Sequence, residues 1–328
     1  MNILEKFYFF LYQRKKFNSL RKQKKLPFPV ASVGNLTLGG TGKTPFALEL
    51  AMASKARGFK PIVLTRGYKG KLKGPVMVSS EHKTIDVGDE PLVMVSERIR
   101  VFKGIDRYET GIFAIEKLNL TEKDKAFFIL DDGFQHWRLH RDLDILLIDG
   151  MKGFGNYRLF PLGPLRSPLQ EISLADMVFI TKKENDELRK ELIKYGAKSI
   201  YYAPFKITAL KDNEGNTLDA KGKTAFVFAG IGNFEYFLEI LRKIDIKILN
   251  YRKFIDHKNY TKKTIQKLIK NGKNADIFIT TKKDFIKLKK YIKIFNGKLH
   301  YLQISMEIPA EAMDKIFNLL ELFYSTSS

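Results

Sequence analysis

From Val30 onward, short runs of β-branched and aromatic residues alternate with longer stretches in which apolar residues recur at helical spacing. Val30 to Val33, Ile62 to Thr65, Phe127 to Leu130, Leu143 to Ile148 and Met177 to Thr181 are mostly continuous apolar runs, which predicts strands covered on both faces, as in a parallel sheet. Between them Pro45 to Arg57, Pro91 to Ile99, Tyr108 to Leu118 and Asp186 to Tyr195 read as helices, so the alternation is that of βαβ units. The rhythm breaks between Ser199 and Ala220, where two extended stretches flank Asp212-Asn213-Glu214-Gly215-Asn216, turn formers suited to a hairpin loop. A second α/β rhythm begins at Ala225 to Ala229, continues through Asp276 to Thr280 and ends in a helix from about Pro309 to Phe323.

This pattern, over 328 residues, predicts two packed units. The expected division is an amphipathic basic helix over residues 1–25, a first α/β domain over 26–204, the hairpin as a junction over 205–221, and a smaller α/β domain over 222–328. In the N-terminal stretch Ile3, Phe7, Phe10 and Phe17 recur at roughly helical spacing beside Arg14, Lys15, Lys16, Arg21, Lys22, Lys24 and Lys25. Such a helix suits the interface of an anionic leaflet. A helix docked on the protein's own core with a solvated basic face accounts for the same spacing.

Composition narrows the chemistry. With no cysteine, disulfides, thiolate-bound zinc, iron–sulfur clusters and thiol nucleophiles are excluded. Lys and Arg number 58 against 36 Asp and Glu, a net charge of +22 that favours anionic partners without choosing among them. The apolar run Phe7 to Tyr12 is far shorter than the roughly 20 residues that cross a bilayer, so neither a spanning helix nor a signal peptide is expected.

The first strand runs into Thr37-Leu38-Gly39-Gly40-Thr41-Gly42-Lys43-Thr44 and then a helix, the context a phosphate-binding P-loop requires. The glycines let consecutive N–H groups converge on phosphate oxygens at a helix N-terminus. Lys43 would bridge the β and γ phosphates of ATP, and the Thr44 hydroxyl would ligate Mg2+. Thr37 stands where the usual pattern has glycine. The strand Phe127 to Leu130 ends in Asp131-Asp132-Gly133, as a Walker B element should, and either carboxylate suits the hard magnesium ion. Gly88-Asp89-Glu90-Pro91 reads first as a helix start with Asp89 as N-cap, an assignment compatible with a catalytic one. His136 and His140 lack a third ligand for zinc and are better suited to phosphate or sugar; Asp256-His257 is an oriented imidazole or a loop pair.

Taken together these residues resemble the tetraacyldisaccharide 4'-kinases. The resemblance rests on Gly34-Asn35-Leu36-Thr37 with the P-loop, Arg66-Gly67-Tyr68, Gly88-Asp89-Glu90-Pro91, Asp106-Arg107-Tyr108 and Leu130-Asp131-Asp132-Gly133-Phe134-Gln135-His136. It continues through Gly163-Pro164-Leu165-Arg166, Gly230-Ile231-Gly232-Asn233, Asp256-His257 and Thr281-Lys282-Lys283-Asp284. It implies a P-loop NTPase-type, mainly parallel sheet with a second, smaller α/β domain joined by a two-stranded hinge. It also implies transfer of the ATP γ-phosphoryl group to a lipid-linked disaccharide monophosphate, at the cytoplasmic face of a Gram-negative inner membrane and with no obligate protein partner. By the same resemblance Asp89 is the general base supported by His257, Glu90 joins Thr44 and Asp131 or Asp132 at magnesium, and Arg107 lies near the phosphates with Lys43. Arg66, Gln135, His136 and Arg166 are then the expected substrate contacts. Ser167 departs from the acidic residue common after that arginine.

Two rival classes remain open to the sequence. Thr181-Lys182-Lys183-Glu184 and Thr281-Lys282-Lys283-Asp284 resemble the guanine-reading motif of P-loop GTPase switches, yet no Asp-x-x-Gly follows the Walker B strand. The charge suits nucleic acid, yet no nucleic-acid-binding signature accompanies it, and no specific nucleic-acid partner is expected.

Overall fold

The computed structural model describes residues 2–326. The chain divides into two compact units, one formed by Met1–Phe205 with Met306–Ser328 and the other by Lys206–Ser305.

Unit 1 is built on an eight-stranded sheet. Its strands are β1 (Val30–Gly34), β2 (Lys60–Thr65), β3 (Val76–Met77), β4 (Arg100–Lys103), β5 (Ala126–Asp131), β6 (Leu143–Asp149), β7 (Met177–Thr181) and β8 (Ile200–Ala203), in the order β3-β4-β2-β5-β1-β6-β7-β8. The pairs from β4 through β8 are parallel, and only the edge strand β3 runs antiparallel, to β4. The five strands expected from continuous apolar runs are all present. Every residue of β1, β5, β6 and β7 is buried, since helices must cover both faces of a parallel sheet. The short strands β3 and β4 lacked a long enough run to be seen in the sequence. β8, read there as part of the hairpin region, completes this sheet instead.

The helices of unit 1 are α1 (Ile3–Leu20), α2 (Lys43–Ala56), the single turn α3 (Thr84–Val87), α4 (Asp89–Ser96), α5 (Arg107–Lys117) and α6 (Asp186–Lys194). Asn2 caps α1 and Glu5 closes the capping box. α1 lies on the unit by polar and aromatic groups. Glu5 pairs with Arg158 at 3.2 Å and accepts from the Leu159 amide, the Tyr8 hydroxyl donates to the Arg166 carbonyl at 2.8 Å, and Lys16 pairs with Glu171 at 2.6 Å. Tyr12 meets the Trp137 ring edge-on at 5.2 Å. Phe9 packs against the core, but Ile3, Phe7, Phe10 and Phe17 point elsewhere and are all exposed. No helix among the described residues is long and apolar enough to cross a membrane.

Unit 2 carries a six-stranded sheet of β9 (Phe205–Lys211), β10 (Thr217–Leu218), β11 (Thr224–Ala229), β12 (Lys247–Lys253), β13 (Ile277–Thr281) and β14 (Leu299–Met306), ordered β10-β9-β14-β13-β11-β12. Three helices, α7 (Phe234–Leu241), α8 (Lys262–Asn271) and α9 (Lys282–Leu288), connect its parallel strands. Phe226, Phe228, Phe278, Phe285 and Phe295 form its core with Ile265 and Leu268 of α8. The turn predicted at Asp212 to Asn216 joins β9 to β10 as an antiparallel hairpin, with the Asp212 carboxylate accepting from the amides of Glu214 and Asn216.

The expected boundaries need two corrections. The last helix, α10 (Ala310–Thr326), belongs to unit 1, not to the smaller domain: Phe317 stacks on Phe59 at 5.9 Å and the Tyr324 hydroxyl donates to the Ala126 carbonyl. An amphipathic stripe marks a helix without saying which core it covers. The chain therefore passes between units within β9 and again within β14, neighbours in the second sheet, so the 205–221 hairpin supplies only one of the two crossings.

Candidate active site

β1 is the strand at which the order of the first sheet reverses, with β5 on one side and β6 on the other, and ligands of α/β sheets gather beyond the carboxyl ends of strands at such a point. The chain leaves β1 through residues 35–42 and enters α2 at Lys43, with Gly42 as N-cap at φ 95°. Gly39 also has positive φ, and a side chain at Gly39 or Gly40 would meet nothing, so both backbones are open to a ligand. Thr37 instead forms an antiparallel bridge with Leu165, and the Leu38 amide donates to the Pro164 carbonyl at 2.7 Å. That extended geometry explains why the usual glycine is dispensable there. The Thr41 carbonyl accepts from the Thr181 hydroxyl at 2.9 Å, while the Thr41 hydroxyl is buried without a hydrogen-bond partner among the described residues.

The two aspartates diverge because the chain turns between them. β5 ends at Asp131, paired in register with Val33 of β1, and Asp132 takes a left-handed φ of 53°. Asp131 accepts from the Thr65 hydroxyl at 3.1 Å; burial, with the charges of Asp132 and Glu90, pushes its carboxyl up to about 7. Burial also works against the charge of Asp132, but Lys43 at 3.5 Å and Arg166 at 2.8 Å outweigh it and hold this carboxyl well below the usual range. Repulsion among Asp131, Asp132 and Glu90 is the setting in which a divalent cation is favoured. Among the described residues no group of three or more acids or histidines could hold a metal, so an ion here would draw further ligands from phosphate and water. Thr44 lies in the first turn of α2.

Asp89 is not the cap expected of it. Gly88 holds the N-cap position of α4 at φ 92°, and Asp89 is the first helical residue, buried, with Glu90 next to it. This turn lies against the loop after β2: a β-carbon on Gly88 would come within 2.7 Å of the Tyr68 carbonyl oxygen, and one on Gly67 within 2.3 Å of that of Val87. Two motifs some 20 residues apart therefore touch backbone to backbone, which requires glycine at both places. Lys103, buried in β4, runs its stem beneath Gly67 and donates to the carbonyls of Gly70 and Leu72.

A cationic cluster flanks the carboxylates. Arg107, at the start of α5, is buried, and burial with the charge of Arg66 brings its guanidinium down to about 10. Desolvation, with the charges of Arg66, Arg166 and Arg107, lowers the ammonium of Lys15, an exposed residue of α1. Burial and Arg107 hold the His136 imidazole down to about 3, so it is neutral near pH 7, and its Nε2 has no hydrogen-bond partner among the described residues. Gln135 donates to the Asn35 carbonyl at 2.7 Å and the Ser167 hydroxyl at 2.9 Å, which gives the serine a place in the framework.

Of the expected site residues, the P-loop, Arg66, Asp89, Glu90, Arg107, Asp131, Asp132, Gln135, His136 and Arg166 all lie in unit 1. His257 belongs to unit 2, where it sits at φ 61° after β12. Its amide donates to the Asp256 carboxylate and its Nε2 lies 3.4 Å from the Lys283 ammonium, which also pairs with Asp256. The sequence did not set Lys15 apart from its basic run; its lowered ammonium, with Arg66, Arg166 and Arg107 among the causes, is what distinguishes it.

A doubly covered parallel sheet with a glycine-rich loop entering a helix beside strand-end carboxylates defines a nucleotide-binding protein of the P-loop class. Within that class, the chain belongs to the tetraacyldisaccharide-1-P 4'-kinase family, whose model matches residues 1–321. It is 38% identical to the tetraacyldisaccharide 4'-kinase of Geobacter sulfurreducens, over 80% of this chain and 76% of that one. It is 36% identical to that of Aquifex aeolicus, over 92% of this chain and 91% of the other. The crystal structure of the "apo" form LpxK from Aquifex aeolicus in complex with ATP superposes with a TM-score of 0.77 at 31% identity, covering 98% of this chain and 97% of that one.

Proposed function

We propose that this protein transfers the γ-phosphoryl group of ATP to the 4'-hydroxyl of tetraacyldisaccharide 1-phosphate, forming lipid IVA in lipid A synthesis. The observation that carries the reading is the convergence of an open P-loop, the Asp131–Asp132–Glu90 cluster and the buried Asp89 in one unit. In this assignment residues 39–44 cradle the phosphates, Thr37 and Leu38 being held by Leu165 and Pro164 at the loop's entry, and Lys43 leaves Asp132 for their charge. Thr44, Glu90 and either Asp131 or Asp132 are the oxygen donors that would hold Mg2+, which when bound neutralises and orients the phosphates. Asp89 accepts the proton as the O–H bond of the 4'-hydroxyl breaks. That oxygen bonds to the γ-phosphorus while the bond to the bridging oxygen breaks, its electron pair leaving with ADP. A positioned base contributes about 10²- to 10⁴-fold in such a step. Arg107 balances charge on the transferred group. Arg66, Arg166, Gln135 and the neutral His136 face the disaccharide phosphate, and we add Lys15 to them. His257 is assigned as the further proton-handling group.

The exposed stripe Ile3, Phe7, Phe10 and Phe17 supports peripheral attachment of α1 to the cytoplasmic face of the inner membrane. Its basic flank is narrower than the sequence suggested, because Lys16, Lys24 and Lys25 pair with Glu171, Glu109 and Asp142 and Lys15 joins the arginines.

Labelled ATP and a tetraacyl disaccharide monophosphate in detergent test the reading, with the lipid products separated. Asp89→Asn should keep ATP affinity and lower kcat by about two orders of magnitude or more, and His257→Ala should add little to it if the two act as a unit. Lys43→Ala should abolish transfer. Near-normal kcat in Asp89→Asn would remove the base from this residue, and GTP outcompeting ATP would move the chain to the switch class.

A further inference from the structure

Unit 2 is far more basic than its size requires: residues 206–305 carry 22 Lys and Arg against 9 Asp and Glu. Part of the excess lies beside β12, the outermost strand of its sheet. A groove of about 440 Å³ between the end of β12 and the start of α8 is lined by Arg252, Lys258, Lys263 and Lys267, with the hydroxyls of Thr261 and Thr264. None of the four cations is paired with a carboxylate among the described residues, whereas the neighbouring Lys253 and Lys283 are, with Glu235 and Asp256. Arg252 and Lys258 both lie over the ring of Phe254, at 5.9 and 5.8 Å. The next residue, Ile255, is 87% exposed, whereas Tyr251 of β12 packs on Phe234 on the other face of the sheet.

Charges on an edge strand commonly guard it against pairing with other chains. That accounts for Lys247 and Arg252 but not for Lys258, Lys263 and Lys267, which lie off the strand, nor for an isoleucine left in water beside them. Unpaired cations bordering a bare apolar side chain are the makeup of a surface that meets anionic lipid, the cations at the headgroups and the apolar group among the upper chains. We infer that the β12–α8 face of unit 2 is a second membrane-binding surface, specific for anionic headgroups and separate from α1. The inference extends the membrane reading of the proposed function and rests on it, but not on the catalytic assignments.

The test is flotation of the full-length protein with vesicles of phosphatidylcholine alone or mixed with phosphatidylglycerol. Each cation near an anionic surface is worth roughly a fivefold change in partition. The quadruple variant R252Q/K258Q/K263Q/K267Q should therefore bind the mixed vesicles about six-hundredfold more weakly, with little change on phosphatidylcholine. The α1 variant F7S/F10S/F17S should keep salt-sensitive binding to the mixed vesicles, and that residue of binding should vanish when the two sets are combined. Ile255→Trp gives a reading that needs no charge removal. Since the protein's one tryptophan, Trp137, is buried, the new indole should shift to the blue on mixed vesicles only.

Loss of all vesicle binding in the α1 variant, with the quadruple variant indistinguishable from wild type, would overturn the inference and leave α1 as the membrane anchor. Binding lost in neither variant would overturn both. Weakened retention of single-stranded RNA in the quadruple variant, with vesicle binding intact, would reassign the groove to nucleic acid and overturn it as well.

Discussion

The helices nearest the two ends of the described chain, α1 and α10, are both rich in apolar residues and both lie on unit 1, yet they lie on it in opposite ways. α10 follows the ordinary rule: Ala312, Met313, Ile316, Phe317 and Leu320 are buried, and Asp314 faces outward to meet Arg57 at 2.6 Å. α1 inverts it, holding on through Glu5, Tyr8, Tyr12 and Lys16 while Phe7, Phe10 and Phe17 stay in contact with solvent. Apolar area outside a fold contributes nothing to holding it, so the exposed phenylalanines of α1 are the feature on which the proposed membrane attachment rests.

The contrast can be broken in order of effect. Phe317→Ala removes a ring stacked on Phe59 and should destabilise unit 1 by roughly 3–5 kcal/mol in denaturant titration; a loss under 1 kcal/mol would mean α10 is not part of that core. F7S/F10S/F17S should leave the same titration nearly unmoved but cut partition onto phosphatidylcholine vesicles by about a hundredfold, at on the order of 1 kcal/mol per partly immersed ring. If the triple variant unfolds instead, α1 is a core helix and the contrast is void. Tyr8→Phe deletes the hydrogen bond to the Arg166 carbonyl and should cost about 1 kcal/mol in local stability, seen as faster amide exchange in α1, with vesicle binding retained. Phe7→Ser alone should shift global stability by less than about 0.5 kcal/mol, the smallest effect and the most direct sign that this ring has no partner within the fold.

How much of this could be read in the sequence follows from the range of the forces involved. The P-loop was legible because strand, glycines, Lys43 and α2 are contiguous, and the strands of unit 1 were legible because double burial leaves continuous apolar runs. Periodicity alone foresaw α10 as a helix but set it in the wrong unit, since the Phe59 that receives Phe317 is some 250 residues distant. For α1 the sequence left a membrane face and a docked face as alternatives; the structure docks one side on unit 1 and leaves Ile3, Phe7, Phe10 and Phe17 exposed on the other. Asp89 looked like a helix cap because Asp-Glu-Pro is a capping sequence, and only the φ of Gly88 shows that the cap lies one residue earlier. The mutual influence of Lys15, Arg66, Arg107 and Arg166 involves four separate segments, and no local pattern announces it. Ser167 departs from the family habit, and its hydrogen bond from Gln135 becomes visible only when residues 134–136 and 166–168 are brought together.

The placement of α10 also bears on how the protein is made. A ribosome completes Lys206–Ser305 before it reaches Ile316 and Phe317, although those two residues finish the core begun by Phe59 and Ala126. At about 5–20 residues per second, the earlier part of unit 1 waits on the order of ten seconds with an apolar patch uncovered. During that interval the nascent chain is a natural client for a chaperone that binds exposed phenylalanine, and the contiguous second unit is free to fold first.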